Sequence, residues 1–473
     1  MATLIRVDGF VNRSGLVLAN PATVAAMVSI PTPGITTGAF GPTLGAPTVR
    51  ANAVPRAVTH PGGSPTVVNP GDNIDSKITA AGAGETLWFT KGTHSRTSLL
   101  APLAGQTWVL ESAAGKGRVA ASSAVIDGGD GALNALVMSE IADLTIRGGL
   151  WTNQGNASSA TYASAIIHSG APGGGGWLVE DAEISGNYNI GLAFQGPNCI
   201  GRRCAINDNG RYGPKLVVAA PNSSFLNCEV ANNNTRELNP GGDASAMKLA
   251  GINLLGATLG SCWIHDNRGF GAWIDNAGTN PTGGNHLVEE CVIENNWRTG
   301  LFLEGLAGGV VGRHNYVVNN GSTRTIGGQS PANVNNTQIR IADCDSTKGA
   351  GTRSALYQNI VDYTRTPTAQ DPGWLLMFWN HTGHAHRNLN WDVSSNQLWC
   401  RTSGTGIIGG LEDNTGLTTV WNGDIDFLTN EYQVASLATS FWKWDSGAGT
   451  GVAKTWAQWQ AYGQDVAGSR VLI

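Results

Sequence analysis

Cys204-Ala205-Ile206-Asn207-Asp208-Asn209, Cys228-Glu229-Val230-Ala231-Asn232-Asn233, Cys262-Trp263-Ile264-His265-Asp266-Asn267 and Cys291-Val292-Ile293-Glu294-Asn295-Asn296 repeat one pattern. Ala182-Glu183-Ile184-Ser185-Gly186-Asn187 precedes them, and Asn315-Tyr316-Val317-Val318-Asn319-Asn320 follows. The aliphatic positions 184, 206, 230, 264, 293 and 317 are 22, 24, 34, 29 and 24 residues apart. In a strand, residues two apart share a face, so the leading residue and the aliphatic both point inward. Coils stacked about 4.8 Å apart bring like positions into columns. The cysteines form one buried column, flanked by Ala182 and Asn315. The final asparagines form a second at the turn, where an amide donates and accepts along the stack and tolerates left-handed backbone. The sequence from about Val137 to Gly321 therefore predicts a right-handed parallel β-helix with coils of about two dozen residues.

A second strand follows each turn: Gly191-Leu192-Ala193-Phe194-Gln195, Gly213-Pro214-Lys215-Leu216-Val217, Ala246-Met247-Lys248-Leu249-Ala250, Gly271-Ala272-Trp273-Ile274-Asp275 and Gly300-Leu301-Phe302-Leu303-Glu304. Alternation puts the aliphatics inside, and residues 193, 215, 248, 273 and 302, with 195, 217, 250, 275 and 304, outside. The two longest spacings mark inserted loops at Thr235–Ala244 and Asn276–Asn285, and solenoid insertions gather on one face.

Composition agrees. Gly accounts for 65 of 473 residues and only 13% are charged, which suits many short strands and tight turns and excludes a disordered chain. A net charge of −5 without a basic run excludes a nucleic-acid binder, since duplexes are held by neutralising phosphates. No apolar run reaches the length of a membrane span. Met1-Ala2-Thr3-Leu4-Ile5-Arg6-Val7-Asp8 lacks the charged-then-apolar signal pattern, which disfavours classical secretion. Seven cysteines, an odd number without a CxxC, fit buried free thiols better than disulfides or zinc.

Outside the repeats, residues 1–62 are rich in Ala, Pro, Thr and Val, with prolines that break regular structure, and are expected to be an extended attachment arm. Residues 63–330 are assigned to the β-helix with its cap. In that cap Ile74, Ile78 and Ala81 predict a short amphipathic helix with an Asp or Asn start, closing the exposed end of the stack. Residues 331–473 are read as a continuation with a closing segment rich in Trp (374, 379, 391, 399, 421, 442, 444, 456 and 459).

The series Pro70-Gly71-Asp72-Asn73-Ile74, Ala80-Ala81-Gly82-Ala83-Gly84-Glu85-Thr86-Leu87-Trp88-Phe89, Leu103-Ala104-Gly105-Gln106-Thr107 and Val125-Ile126-Asp127-Gly128-Gly129 resembles the opening of pectate-lyase-like right-handed β-helix proteins. So does the midsection through Ala244-Ser245-Ala246-Met247-Lys248 and Cys262–Gly305. Trp459-Gln460-Ala461-Tyr462-Gly463-Gln464-Asp465 resembles a closing motif of that group. The resemblance covers about 65–330 and 430–470. It implies fold more than function, because members include lyases, hydrolases, epimerases and phage tailspikes. A non-enzymatic N-terminal segment, the missing signal pattern and the β-helix together look like a phage tail fibre, tailspike or minor tail protein. By that analogy the expected partners are tail or baseplate proteins through residues 1–62, host surface polysaccharide, and two further copies in a homotrimer. The expected location is the virion tail, after assembly in host cytoplasm.

For chemistry, Asp275 and Glu304 occupy one position on adjacent coils, so their carboxylates are expected about 5 Å apart, a retaining-glycosidase spacing. Lys248, one coil earlier, can hold a carboxylate ionised or act as a base. Trp273 and Phe302 offer ring faces to a sugar, with Lys215 and His265 nearby. The face reads as a glycan-binding surface, a hydrolase or lyase site, or a solvated face with surface ion pairs of little worth. Pectate lyases use calcium in an acidic cluster with an Arg base, and no matching cluster of three acids appears. No cofactor is implied. His381, His384 and His386 invite a metal, but the third ligand is missing, and no metal site is assigned.

Overall fold

In the computed structural model the described residues are 40–43, 45–159, 163–169, 174–217, 220–240, 244–250, 256–275, 286–306, 309–322, 324–329, 337–344, 353–364, 374–380, 388, 390–401, 411–413, 425–444, 449–450 and 452–473. They wind as a right-handed parallel β-helix. Each full coil gives one strand to each of three sheets. Sheet one has 13 strands from Thr66–Val68 to Ile425–Leu428, and sheet two has 13 from Gly92–Ser95 to Ser469–Leu472. Sheet three has 11, from Val137–Ser139 to Gly449–Thr450. Every ladder in these sheets is parallel except the last of sheet three, where Gly449–Thr450 pairs antiparallel with Leu411–Asp413.

The two columns occur at two corners. Between sheets one and two, a single left-handed residue (Arg203, Asn227, Ser261, Glu290) immediately precedes each of Cys204, Cys228, Cys262 and Cys291. All seven cysteines are free and buried, and within the column each thiol donates weakly to a backbone carbonyl, as Cys228 does to Gly201 at 3.5 Å. The column then changes chemistry. Asn315 accepts from the Cys291 amide at 3.0 Å, and amide-to-amide bonds of 2.9–3.0 Å continue through Asn359, Asn396 and Asn430. Between sheets two and three, Asn187, Asn209, Asn233, Asn267, Asn296 and Asn320 form the expected ladder, each Nδ2 donating to the next Oδ1 at 2.8–3.0 Å. The left-handed backbone falls one residue earlier than expected, on Asp208, Asn232, Asp266, Asn295 and Asn319. The ladder side chains can point inward because their neighbours take the turn.

Both ends are sealed. Helix α1, Ala46–Asn52, precedes the stack, and helix α2, Ile74–Ala81, caps it. In α2 the Asn73 side chain accepts from the Ser76 amide, and Ile74 and Ile78 are buried. Gln106 fastens the cap by donating to the Ile78 and Gly82 carbonyls while accepting from the Trp108 indole at 3.1 Å. At the far end helix α3, Trp456–Ala461, starts in a capping box of Thr455 and Gln458. Asp465 ends the asparagine column, accepting from the Asn430 side chain at 2.8 Å, the Trp459 indole at 3.1 Å and the Tyr432 hydroxyl.

The first 39 residues of the expected arm lie outside the described residues. Residues 40–43 and 45–58 lie along the flank of the β-helix. Gly41 donates to Gln358, Thr43 to Glu290 and Arg50 to Glu294, then the Arg56 amide to Asp181, and Val58 bridges Ser112. The chain thus descends along successively earlier coils before entering sheet one.

Candidate functional site

The outer face of sheet three carries the sequence-derived residues. Lys215, Lys248, Trp273 and Phe302 stand in one register, and Arg340 continues it. Asp275 and Glu304 are register partners two residues further along their strands. The alternate residues Leu249, Ile274, Leu303 and Ile341 enter the main core. The outward set is not a solvated surface, however. Lys215 and Lys248 are 8% exposed, Trp273 4% and Phe302 3%. Trp273, Phe302, Phe270 and Ala342 form an apolar cluster of their own outside the sheet, with Trp379 packed against it. Large rings one coil apart cover each other, which strand alternation by itself does not reveal.

The contacts are specific. The Lys248 ammonium lies 2.7 Å from an Asp275 carboxylate oxygen and 3.4 Å from the centre of the Trp273 ring. The Trp273 indole donates to Glu304 Oε2 at 3.0 Å, and its ring stacks with Phe302 at 5.7 Å. Both carboxylates are therefore held by neighbours on the coil before. Burial, with Lys248 and Arg211 nearby, pushes the Lys215 ammonium down to about 8. Arg340 lies 3.9 Å from the Trp379 ring centre and 5.0 Å from that of Phe302, and Arg298 lies 4.3 Å from that of Phe270. Phe270, Arg298 and Arg340 were absent from the sequence reading, which placed Trp379 only in the Trp-rich closing segment. Arg340 sits in Thr337-Gln338-Ile339-Arg340-Ile341, whose alternation carried the signal, but it follows the six matched repeats.

His265 stands apart from this group. It is on sheet two, its ring stacked on Trp263 at 3.7 Å, with Nδ1 2.7 Å from Asp266 and Nε2 3.1 Å from Glu229. Lys116, from the loop after Thr107–Leu110, also bonds Glu229, so His265 belongs to a seam that ties a loop to the flank. Burial acts to lower its pKa, but the two carboxylates outweigh it and hold it above its ordinary value. A base whose folded pKa is raised contributes stability below its unfolded value near 6.5, and that contribution is lost as pH rises through the folded pKa. Thermal unfolding followed from pH 5 to 9 should show this decline in the native chain, and His265→Gln should flatten it. An unchanged profile in the variant would remove His265 as the titrating group.

At the corner of sheets two and three, adjoining cavities of about 260 and 290 Å³ share Tyr188 and Arg236. The Arg236 guanidinium lies 3.9 Å from the Tyr188 ring centre. His381, His384 and His386, the loop 276–285, residues 241–243 of the other insertion and Trp421 lie outside the described residues. Among the described residues, no group of three His, Cys, Asp or Glu is placed to hold a metal ion.

These coils, corners and caps define a right-handed parallel β-helix. Residues 130–339 match the family model for the right-handed beta helix region. Among solved structures, the A-module of mannuronan C-5 epimerase AlgE6 from Azotobacter vinelandii superposes with a TM-score of 0.54 at 16% identity, over 76% of this chain and 89% of that one. The Dettilon tailspike protein gives 0.45 at 13% identity, over 80% and 68%. A tailspike from Acinetobacter baumannii bacteriophage Fri1, described as a capsular polysaccharide depolymerase, gives 0.37 at 11% identity, over 85% and 65%. At these identities the likeness is one of fold. No curated protein sequence matches the chain.

Proposed function

We propose that this chain is a phage tail protein, of the minor tail protein, tail fibre or tailspike kind, whose β-helix binds host surface glycan through the outer face of sheet three. Its N-terminal segment joins it to other tail or baseplate proteins, and it works as a homotrimer in the virion tail. The observation that carries the glycan reading is the register Lys248–Trp273–Phe302–Arg340 with its bordering carboxylates. Flat rings, fixed cations and hydrogen-bond acceptors on one rigid strand array are what a saccharide's apolar ring faces and hydroxyls require. Trp273 and Phe302 form the packed floor, and the partly exposed Asp275 and Glu304 form the contact edge.

The second reading is cleavage of the same glycan by Asp275 and Glu304, with Lys248 as base or charge partner. Binding is favoured because both carboxylates are already committed, to Lys248 and to the Trp273 indole. One experiment separates the readings. Purified protein is incubated with host capsular or wall polysaccharide, and retention and released oligosaccharides are both measured. Retention should fall about tenfold or more in Asp275→Asn with Glu304→Gln, from lost charge-assisted hydrogen bonds. Release that the double variant abolishes would establish the depolymerase. The absence of both retention and release would refute the glycan role, and immunolabelling of particles that misses the tail would refute the location.

A further inference from the structure

The chain enters the stack through a segment fastened to residues far away in sequence. Residues 40–43 and 45–58 run from Gln358, which accepts from the Gly41 amide, to Ser112, which pairs with Val58. These points adjoin the strands Ser354–Tyr357 and Thr107–Leu110, eight strands apart along sheet one, or about 38 Å at the spacing of parallel strands. The segment is therefore a strap that follows the axis of the stack. Gly41, Pro42, Val49, Ala53, Pro55 and Val58 are buried. Both carboxylate oxygens of Glu290 accept from Thr43, and Arg50 grips Glu294 with two donors, at 2.9 and 2.6 Å.

Thr59-His60-Pro61-Gly62-Gly63-Ser64-Pro65 joins the strap to the first strand, Thr66–Val68. Thr59 to Ser64 are exposed. The specific contacts of this loop among the described residues are a bond from the Gly62 amide to the His60 ring and an edge contact of that ring with Trp88 at 5.3 Å. Gly62 and Gly63 have φ of 80° and 66°, and a Cβ on either would meet nothing within 4 Å. The glycines therefore serve left-handed backbone, which turns the chain back onto its own flank, and not close packing. Pro61 and Pro65 bias the residue before each toward extended backbone. Straightened, the loop spans about 23–25 Å, more than twice the roughly 10 Å between packed sheets.

Release of the strap without replacement would strip Glu290 and Glu294 of these donors and uncover the surface beneath Val49 and Ala53. A strap from an identical chain restores every one of these contacts, which is why exchange of an element is a low-cost route to oligomers. Rotation about an axis parallel to the stack leaves the axial direction unchanged, so a neighbouring copy offers the same flank in the same sense. We propose that the strap is exchanged: that of each copy lies on the flank of the next copy around a three-fold axis, and the partner this flank fits is a second copy of this chain. The proposal rests on the homotrimer of the preceding reading and names the joint that holds it together. The loop 59–65 is the hinge, closed in the single chain and extended in the assembly.

Val58 and Ser112 exchange both backbone hydrogen bonds, at 2.9 and 3.0 Å, a pairing that sets Cα atoms about 5.5 Å apart, within disulfide range. Full-length chains carrying Val58→Cys or Ser112→Cys are coexpressed, and the purified assembly is oxidised, run on a non-reducing gel and weighed by light scattering. A reductant-sensitive covalent dimer is expected from the coexpressed pair and from neither variant by itself. With both substitutions on one chain, covalent multimers are expected. Closure of that double variant within its own chain, with no dimer from the coexpressed pair, would overturn the exchange. Light scattering then separates the two readings: a trimeric mass leaves the homotrimer standing, and a monomeric mass removes it as well. Arg50→Glu and Glu294→Arg supply a check that needs no cysteine. Each by itself sets like charges together at this contact, and in the coexpressed pair only an exchanged strap brings the new carboxylate to the new guanidinium. Proteolysis within residues 46–56 should be rapid in each variant alone and several-fold slower in the coexpressed assembly. Cleavage as fast in the mixture as in the separate variants would overturn the exchange.

Discussion

Asn233→Ala should destabilise the central coils by about 3–5 kcal/mol, because several buried polar groups lose their partners together. The Asn233 side chain donates to the Ile206 carbonyl at 2.9 Å and to Asn267 at 3.0 Å. It accepts from the backbone and side-chain amides of Asn209 at 3.1 and 3.0 Å. Alanine removes all four bonds where water does not reach, although Asn267 Oδ1 still accepts from the residue-233 backbone amide and Asn209 Nδ2 still donates to Ile184. The neighbouring Asn232 provides the contrast. It is exposed, with φ of 54°, so Asn232→Ala should cost only about 1–2 kcal/mol of left-handed backbone preference, and Asn232→Gly less. Because a solenoid opens locally, amide hydrogen exchange is the suitable measurement. Protection should collapse in the coils around residues 206–267 for Asn233→Ala and persist for Asn232→Ala. Equal effects would mean that the turn, not the ladder, carries the stability.

Asp465→Ala should open the closing segment, at a cost of about 3–5 kcal/mol. Asp465 is the last rung of the column that begins with cysteines. Its Oδ1 accepts from the Asn430 backbone and side chain at 3.0 and 2.8 Å, and its Oδ2 from the Trp459 indole and the Tyr432 hydroxyl. Burial pushes its pKa up, and these donors oppose that. Removing the carboxylate frees α3 from the stack and exposes the end of sheet two, where Ser469–Leu472 is the edge strand. Unpaired strand edges promote association between chains. Asp465→Asn keeps one acceptor oxygen and should cost less. Limited proteolysis should cut Asp465→Ala first between 425 and 473, and tryptophan fluorescence should shift as buried Trp442 and Trp459 reach water. An uncut, spectrally unchanged variant would show that Trp packing alone closes the stack.

The cysteine and asparagine columns were legible because a solenoid repeats its demands: one position per coil must be small and buried, and another must donate and accept along the axis. The same logic failed past residue 330 only because the spacing between rungs widens, from 24 residues between Cys291 and Asn315 to 44 between Asn315 and Asn359. The ladder itself continues, and Gln358-Asn359, Ser395-Asn396 and Thr429-Asn430 repeat the left-handed residue followed by Asn. The site was legible in part. Alternation placed Lys248, Trp273, Phe302, Asp275 and Glu304 on one outer face, but not the burial of three of them.

The β-helix, its two columns and the shared outer face of Lys248, Trp273, Phe302, Asp275 and Glu304 were readable from residue order, because each follows from strand alternation and a repeat of about two dozen residues, and the capping helix was readable from helical periodicity after an Asn start. Which outward residues are covered, the tying of His265 to Glu229 and Asp266, the path of residues 40–43 and 45–58 down the flank, and the burial of Arg298 without a hydrogen-bond partner for Nη1 among the described residues came from the folded chain alone. Those outcomes depend on what lies one coil above and below, or on chain more than a hundred residues away, as in the 247-residue separation of Thr43 and Glu290. No local pattern encodes such distances.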